Sequence, residues 1–151
     1  HEGLSSDIDN KSYKTILLEH AVLQVAKSQN KNDSLSQTGE INNIALNEVY
    51  ALYFWLFPNI MINFYKWGIS VNIIEPLEKE KTRIRFISLP IKGCKQSFGE
   101  TNSVDQIELE DQKVVINVQN GIKSKFYDRG RYSAEYEKGT HHFHRIISKY
   151  L

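Results

Sequence analysis

The spacing of apolar positions along this chain changes once, near residue 103. Before that point, short runs dense in aromatic and β-branched residues alternate with turn signals. Val49 to Phe57 is one such run, and Pro58-Asn59 closes it. Ile60 to Tyr65 is the next, broken by Lys66-Trp67-Gly68. Ile69 to Leu77 follows, with Glu75-Pro76 as its closing signal, and Leu77 to Lys81 reads as a charged hairpin connection. Thr82 to Leu89 then sets Arg83 and Arg85 against Ile84 and Phe86, the period of two that marks a half-buried strand. Tyr13 to Ala26 reads two ways. Its Tyr13, Ile16, Leu17 and His20 spacing suits a helix, whereas Val22, Val25 and the missing cap suit a pair of strands. The sheet that follows tips the expectation to strands. Ser28 to Ser36 and Gln37 to Asn43 are polar and read as loop. Short runs with tight connections predict an antiparallel meander.

After that point the period lengthens. Val104, Ile107, Val114, Val118 and Ile122 fall at helical spacing, Ser103 and Gln106 offer a capping box, and Gly121 lies near the C-terminal end. Phe126 to Lys138 is rich in turn residues. Gly139 to Leu151 predicts a second, shorter helix with Phe143, Ile146, Ile147 and Tyr150 on one side. The expected class is α+β.

One residue breaks the long helix's stripe. Ile107, position 111, Val114 and Val118 are spaced four, three and four apart, so position 111 shares the apolar face, and it is Asp111. A carboxylate there is costly unless it is paired, hydrogen-bonded or bound to a metal. Two readings stand: a paired or partly exposed Asp near a helix start, or a metal or catalytic carboxylate.

Composition narrows the classes of function. Apolar residues make up 40% and charged residues 25%, as in soluble globular chains. Nineteen basic residues against eighteen acidic give a net charge of +1, which removes the electrostatic case for nucleic acid. Lys123, Lys125, Arg129 and Arg131, interleaved with Phe126, Tyr127 and Tyr132, therefore read as a solvated face or a subunit contact. Cys94 is the single cysteine, so a disulfide framework and a zinc ribbon are excluded within this chain, and a reducing, cytoplasmic compartment is expected. The longest apolar run, Tyr50 to Phe57, is far too short to span a membrane. The start, His1-Glu2-Gly3-Leu4-Ser5, shows no signal peptide and no initiator methionine, and reads as a processed, trimmed or incomplete chain. His141, His142 and His144 cluster, with two of them one turn apart. Packing and hydrogen bonding at a helix start is the preferred reading over a metal site.

From Tyr53 to Leu151 the chain resembles the C-terminal catalytic domain of Rieske non-haem iron oxygenase α subunits, the aromatic-ring-hydroxylating dioxygenase type. The residues that carry the resemblance are Leu56-Phe57-Pro58-Asn59, Asn63-Phe64-Tyr65, Trp67-Gly68, Glu75-Pro76-Leu77, Glu110-Asp111, Val118-Gln119-Asn120-Gly121, Phe126 through Ser133, and Gly139 with His141 to Arg145. His1 to Ser5 looks like the family's H-x-G-L-S. The resemblance implies a START-like helix-grip fold, an antiparallel sheet wrapped around a long C-terminal helix, here incomplete at its N-terminus. It implies a mononuclear Fe(II) site of two histidines and one carboxylate. His1 matches the second histidine and Asp111 the carboxylate, with Glu110 as the alternative if the register slips by one. The histidines at 141 to 144 match a family segment that does not ligate metal.

The first triad histidine would lie a few residues before His1. The Rieske [2Fe–2S] domain, with its two cysteines and two histidines, is likewise absent from these residues. The resemblance further implies O₂ and a small organic substrate, aromatic or a quaternary amine. It also implies electrons from NAD(P)H through a reductase or ferredoxin, and a homotrimer. Phe54, Trp55 and Trp67 read as core aromatics or as a cage for a cation. The alternative is a free-standing START-like module that binds a small molecule without catalysis.

Overall fold

The computed structural model describes residues 12–29, 34–36, 38–93 and 101–151, with side chains within the long helix described from 109 onward. Six strands form one antiparallel sheet in the order β1-β2-β5-β6-β7-β8. They are β1 (Lys14–Leu18), β2 (Ala21–Lys27), β5 (Val49–Leu56), β6 (Ile60–Tyr65), β7 (Gly68–Glu78) and β8 (Lys81–Pro90). Each strand pairs with the next in sequence apart from one insertion, β3 (Glu40–Ile41) and β4 (Ile44–Ala45), between β2 and β5. Two helices close the chain, α1 (Thr101–Ile122) and α2 (Lys138–Ile147). This is the expected α+β meander with C-terminal helices.

Three local expectations are corrected. The polar stretch from Gln37 to Asn43 is not all loop: Ile41 and Ile44 pair across a two-residue turn at Asn42-Asn43. Both asparagines have positive φ, 49° and 62°, the conformation that a tight hairpin turn demands and that Asn tolerates. Pro76 does not end its strand. The register shifts between Pro76 and Glu78, and a bulge of this kind accommodates a residue with no N–H to donate. The long helix begins at Thr101, so Ser103 lies within it and does not cap it.

Strand alternation gives the sheet two faces, and the register shows which residues share each. Leu23, Val25, Leu52, Phe54, Ile62 and Phe64 lie on one face. Leu23, Val25 and Leu52 are buried there with Ile44 and Val49, and Leu35, Ile41 and Leu46 pack over them, so the β3–β4 hairpin and its flanks cover this face.

The opposite face carries Val22, Gln24, Tyr53, Trp55, Asn63, Ser70 and Asn72, and α2 lies against it. A Cβ built on Gly139 would stand 3.2 Å from Val22 Cγ1, a close approach that the missing side chain permits. Ile146 is buried at 2% exposure, Phe143 meets Trp55, and Tyr150 stacks on Phe57 with centroids 4.8 Å apart. These are three of the four residues that the helical spacing placed on one side, although the helix ends at Ile147 and Tyr150 lies beyond it.

The longer helix differs. Leu109, Val114, Val115, Ile116, Val118 and Ile122 on α1 are all exposed. Its C-terminal end is tied to the β7–β8 hairpin by Lys123 Nζ, 2.8 Å from Glu80 Oε2. No described helix is long and apolar enough to cross a membrane.

Candidate functional site

Asp111 sits in α1 with Glu110 immediately before it. The stripe that the sequence drew is present, yet Asp111, Val114 and Val118 are all exposed, so the described residues leave this face of the helix uncovered. Partial desolvation and the adjacent Glu110 carboxylate raise the Asp111 carboxyl above the usual carboxylate range. His1, the other residue predicted to bind metal, lies outside the described residues. Among the described residues no three His, Cys, Asp or Glu side chains come close enough to hold a metal ion. In donor chemistry Asp111 fits Fe(II), since a carboxylate oxygen is the anionic member of the two-histidine, one-carboxylate set.

The C-terminal histidines are engaged in structure. His142 Nε2 is 2.7 Å from the Leu18 carbonyl oxygen at the end of β1, joining α2 to the sheet edge. His144 Nδ1 hydrogen-bonds the Tyr132 hydroxyl, and Tyr132 also meets the His141 ring edge to face at 5.0 Å. The packing reading of this cluster holds. Three members of the basic cluster are likewise partnered: Lys123 pairs with Glu80, Arg129 with Asp128 (3.4 Å), and Lys125 lies 5.2 Å from the Phe126 ring.

The three aromatics considered as a cage are not brought together. Phe54 packs in the core face against Phe64, with centroids 5.8 Å apart. Trp55 points to the opposite face, against Phe143 and Phe57. Trp67 stacks on Tyr65 at 5.3 Å with planes 8° apart.

The α2-side face holds residues that the sequence reading passed over. Gln24 pairs with Tyr53, Tyr53 with Asn63, Asn63 with Ser70 and Ser70 with Ser88, a polar row crossing five strands. Asn63, Ser70 and Asn72 are buried, at 7%, 9% and 6% exposure. Ser70 Oγ lies 3.4 Å from Asn72 Oδ1, and the Tyr13 hydroxyl donates to Gln24 Oε1 at 3.3 Å. Tyr13 stacks on Tyr53, and Tyr65 meets Tyr53 edge to face at 6.0 Å. Burial raises the Tyr13 hydroxyl to about 12, and burial together with the neighbouring tyrosines raises Tyr53 further. The signal was present: Gln24, Asn63 and Asn72 each stand between apolar neighbours in their strands.

Residues 6–151 match the family described as ring hydroxylating alpha subunit (catalytic domain). The chain is 31% identical to choline monooxygenase, chloroplastic, of Arabidopsis thaliana over 97% of its own length and 34% of that protein. It is 29% identical to the Amaranthus tricolor choline monooxygenase over 95% of its length and 32% of the relative. It thus spans about a third of the length of these curated relatives. Its fold is shared with a crystal structure of the quaternary ammonium Rieske monooxygenase CntA in complex with an inhibitor. The TM-score is 0.74 at 17% identity, covering 99% of this chain and 41% of that one.

Proposed function

This chain belongs to the family of ring-hydroxylating α subunits, whose catalytic domain it matches, and from that premise we propose that it is the C-terminal, mononuclear-iron part of a Rieske-type oxygenase. The observation that carries the proposal is the family match across nearly the whole chain. Asp111 lies within it, as the carboxylate that interrupts an apolar helical stripe.

In this reading Asp111 and His1 hold Fe(II) together with a histidine upstream, and Glu110 is the alternative carboxylate. The iron, when bound, supplies the activation of O₂ that side chains alone do not. The chain's own part is to bind and orient. Its sheet presents a face of tyrosines, Trp55 and buried amides, with α2 packed across its β1–β2–β5 side, and it excludes water from the substrate. The substrate is a small organic molecule. The names of the relatives favour a quaternary ammonium compound. A Rieske [2Fe–2S] domain upstream, electrons from NAD(P)H through a reductase or ferredoxin, a homotrimeric assembly and a cytoplasmic location complete the proposal.

The test is Asp111→Ala in the full-length protein, with bound iron and substrate-dependent O₂ uptake as readouts. Loss of both is expected. Retention of both would falsify the assignment of Asp111, and loss in Glu110→Ala alone would transfer the role to its neighbour.

A further inference from the structure

Four oxidisable rings run in one line across the α2-side face of the sheet. Tyr13 stacks on Tyr53 with centroids 6.4 Å apart, Tyr65 meets Tyr53 edge to face at 6.0 Å, and Trp67 stacks on Tyr65 at 5.3 Å. Each step lies within the range of direct ring contact. The line joins separate elements: Tyr13 precedes β1, Tyr53 is on β5, Tyr65 closes β6 and Trp67 stands in the turn to β7. Its two ends differ. Tyr13 is exposed and its hydroxyl donates to Gln24 Oε1, whereas Trp67 is half-buried. Between them the Tyr53 and Tyr65 hydroxyls are hydrogen-bonded to each other.

Packing alone does not call for these residue types. Phenylalanine fills that role elsewhere in the sheet: Phe54 meets Phe64 on the core face, and Phe57 and Phe143 flank Trp55 beside α2. A plain benzene ring is not oxidised under conditions in which a phenol or an indole gives up one electron. Phe57 therefore interrupts any redox contact between Trp55 and Tyr150. No phenylalanine interrupts the line from Tyr13 to Trp67. Its phenols are also the costlier choice, since a hydroxyl taken out of water needs a partner.

We propose that Tyr13, Tyr53, Tyr65 and Trp67 form a relay that carries oxidising equivalents from Trp67 to the surface at Tyr13. The relay rests on the oxygenase reading for its oxidant, a strong one-electron oxidant of the class that O₂ activation leaves when no substrate consumes it. Trp67 is the entry, because an indole can lose an electron before it loses a proton. It gives one electron to the oxidant and its N–H proton to solvent. Tyr65 then restores Trp67 with one electron and one proton. Tyr53 restores Tyr65 along their hydroxyl hydrogen bond, and Tyr13 restores Tyr53. The net change is an oxidant reduced by one electron, one proton released, and a neutral tyrosyl radical at Tyr13. There a soluble thiol or ascorbate returns the missing hydrogen atom. Such a path protects the protein interior from an oxidant that has missed its substrate.

The experiment starts the relay with light. In the full-length protein supplied with Fe(II), a ruthenium–bipyridyl photo-oxidant is attached at Lys66→Cys, the exposed neighbour of Trp67, in a Cys94→Ser background. Flash oxidation with persulfate as electron acceptor is followed by electron paramagnetic resonance. A tyrosyl signal that ascorbate quenches rapidly is expected. Tyr13→Phe should leave a tyrosyl signal that ascorbate quenches slowly, because the radical then rests on Tyr53. Tyr65→Phe keeps its ring but cannot be oxidised. It is expected to abolish the tyrosyl signal and strand the radical on Trp67, an effect that a merely structural ring would not produce. Tyr53→Phe, read by slow quenching, serves if Tyr65→Phe lowers the melting temperature. A signal indifferent to all three substitutions, or a radical confined to Trp67 in the otherwise unsubstituted protein, overturns the proposal. The unlabelled protein, reduced and exposed to O₂ without substrate, is expected to show the same Tyr13 radical, and O₂ uptake without it overturns the protective use. Light-driven transfer in a full-length protein that binds no iron and takes up no O₂ sinks the oxygenase reading and leaves the relay. O₂ uptake without light-driven transfer does the reverse.

Discussion

Trp55 on β5 and Phe143 on α2 meet edge to face, with centroids 4.5 Å apart and ring planes at 82°. The pair fixes α2 on the face that carries the buried amides. Phe143 is half-buried, so Phe143→Ala is expected to cost about 2 kcal/mol, below the usual loss for a fully buried ring. Chemical denaturation with Trp fluorescence checks this. The Trp55 emission should shift to the red in the folded variant, because the ring then faces water. An unchanged spectrum and midpoint would show that the contact holds nothing in place.

Gly68 opens β7 directly after the turn from β6, with φ of +153°. A Cβ there would lie 2.3 Å from the Leu89 carbonyl oxygen and 2.9 Å from Pro90 Cα, both backbone atoms that cannot swing aside. Gly68→Ala should therefore separate β7 from β8 at this end and cost about 2 kcal/mol or more. Gly93→Ala is the paired control. Its φ is positive too, at 85°, but a Cβ would meet nothing within 4 Å. A Gly68 variant no less stable than the Gly93 variant would refute the steric account.

Alkaline pH should unfold the protein through its tyrosines. In the folded state Tyr13 is raised from 10.0 to about 12, and Tyr53 is raised further still. A folded-state value above the unfolded one means stability that is fully present below pH 10 and is lost as pH climbs through 12. Tyr53→Phe removes one of these protons and should flatten that decline. Tyrosinate absorbance and circular dichroism followed together provide the check: ionisation of Tyr53 in a chain that stays folded through pH 12 would contradict the prediction.

Much of the sheet could be read from the sequence, for a simple reason. Apolar runs bounded by Pro58-Asn59 and Lys66-Trp67-Gly68 leave one strand between them, and β6 spans Ile60–Tyr65 as the pattern predicts. Less of the site was readable. Helical periodicity placed Asp111 with Val114 and Val118, but it says nothing about what covers a face, and both valines stand more than half exposed. Gln24, Asn63 and Asn72 each interrupt an apolar run. Gln24 and Asn63 fall into one row only through the pairing of three strands, and Asn72 joins them through Ser70. A single strand's pattern contains no such information. The Asn42-Asn43 turn was visible in the letters and was overridden by the polar composition around it.

The sheet wears two separate covers, the β3–β4 hairpin on one side and α2 on the other. Odd and even positions along one strand therefore answer to different demands. Leu52 and Phe54 serve cohesion, while Tyr53 and Trp55, their immediate neighbours, lie on the face that α2 covers. Changes on opposite sides share few partners, so their effects on stability should come close to adding. A substitution on the α2-covered face can thus leave the cluster of Leu23, Val25 and Leu52 on the other side in place.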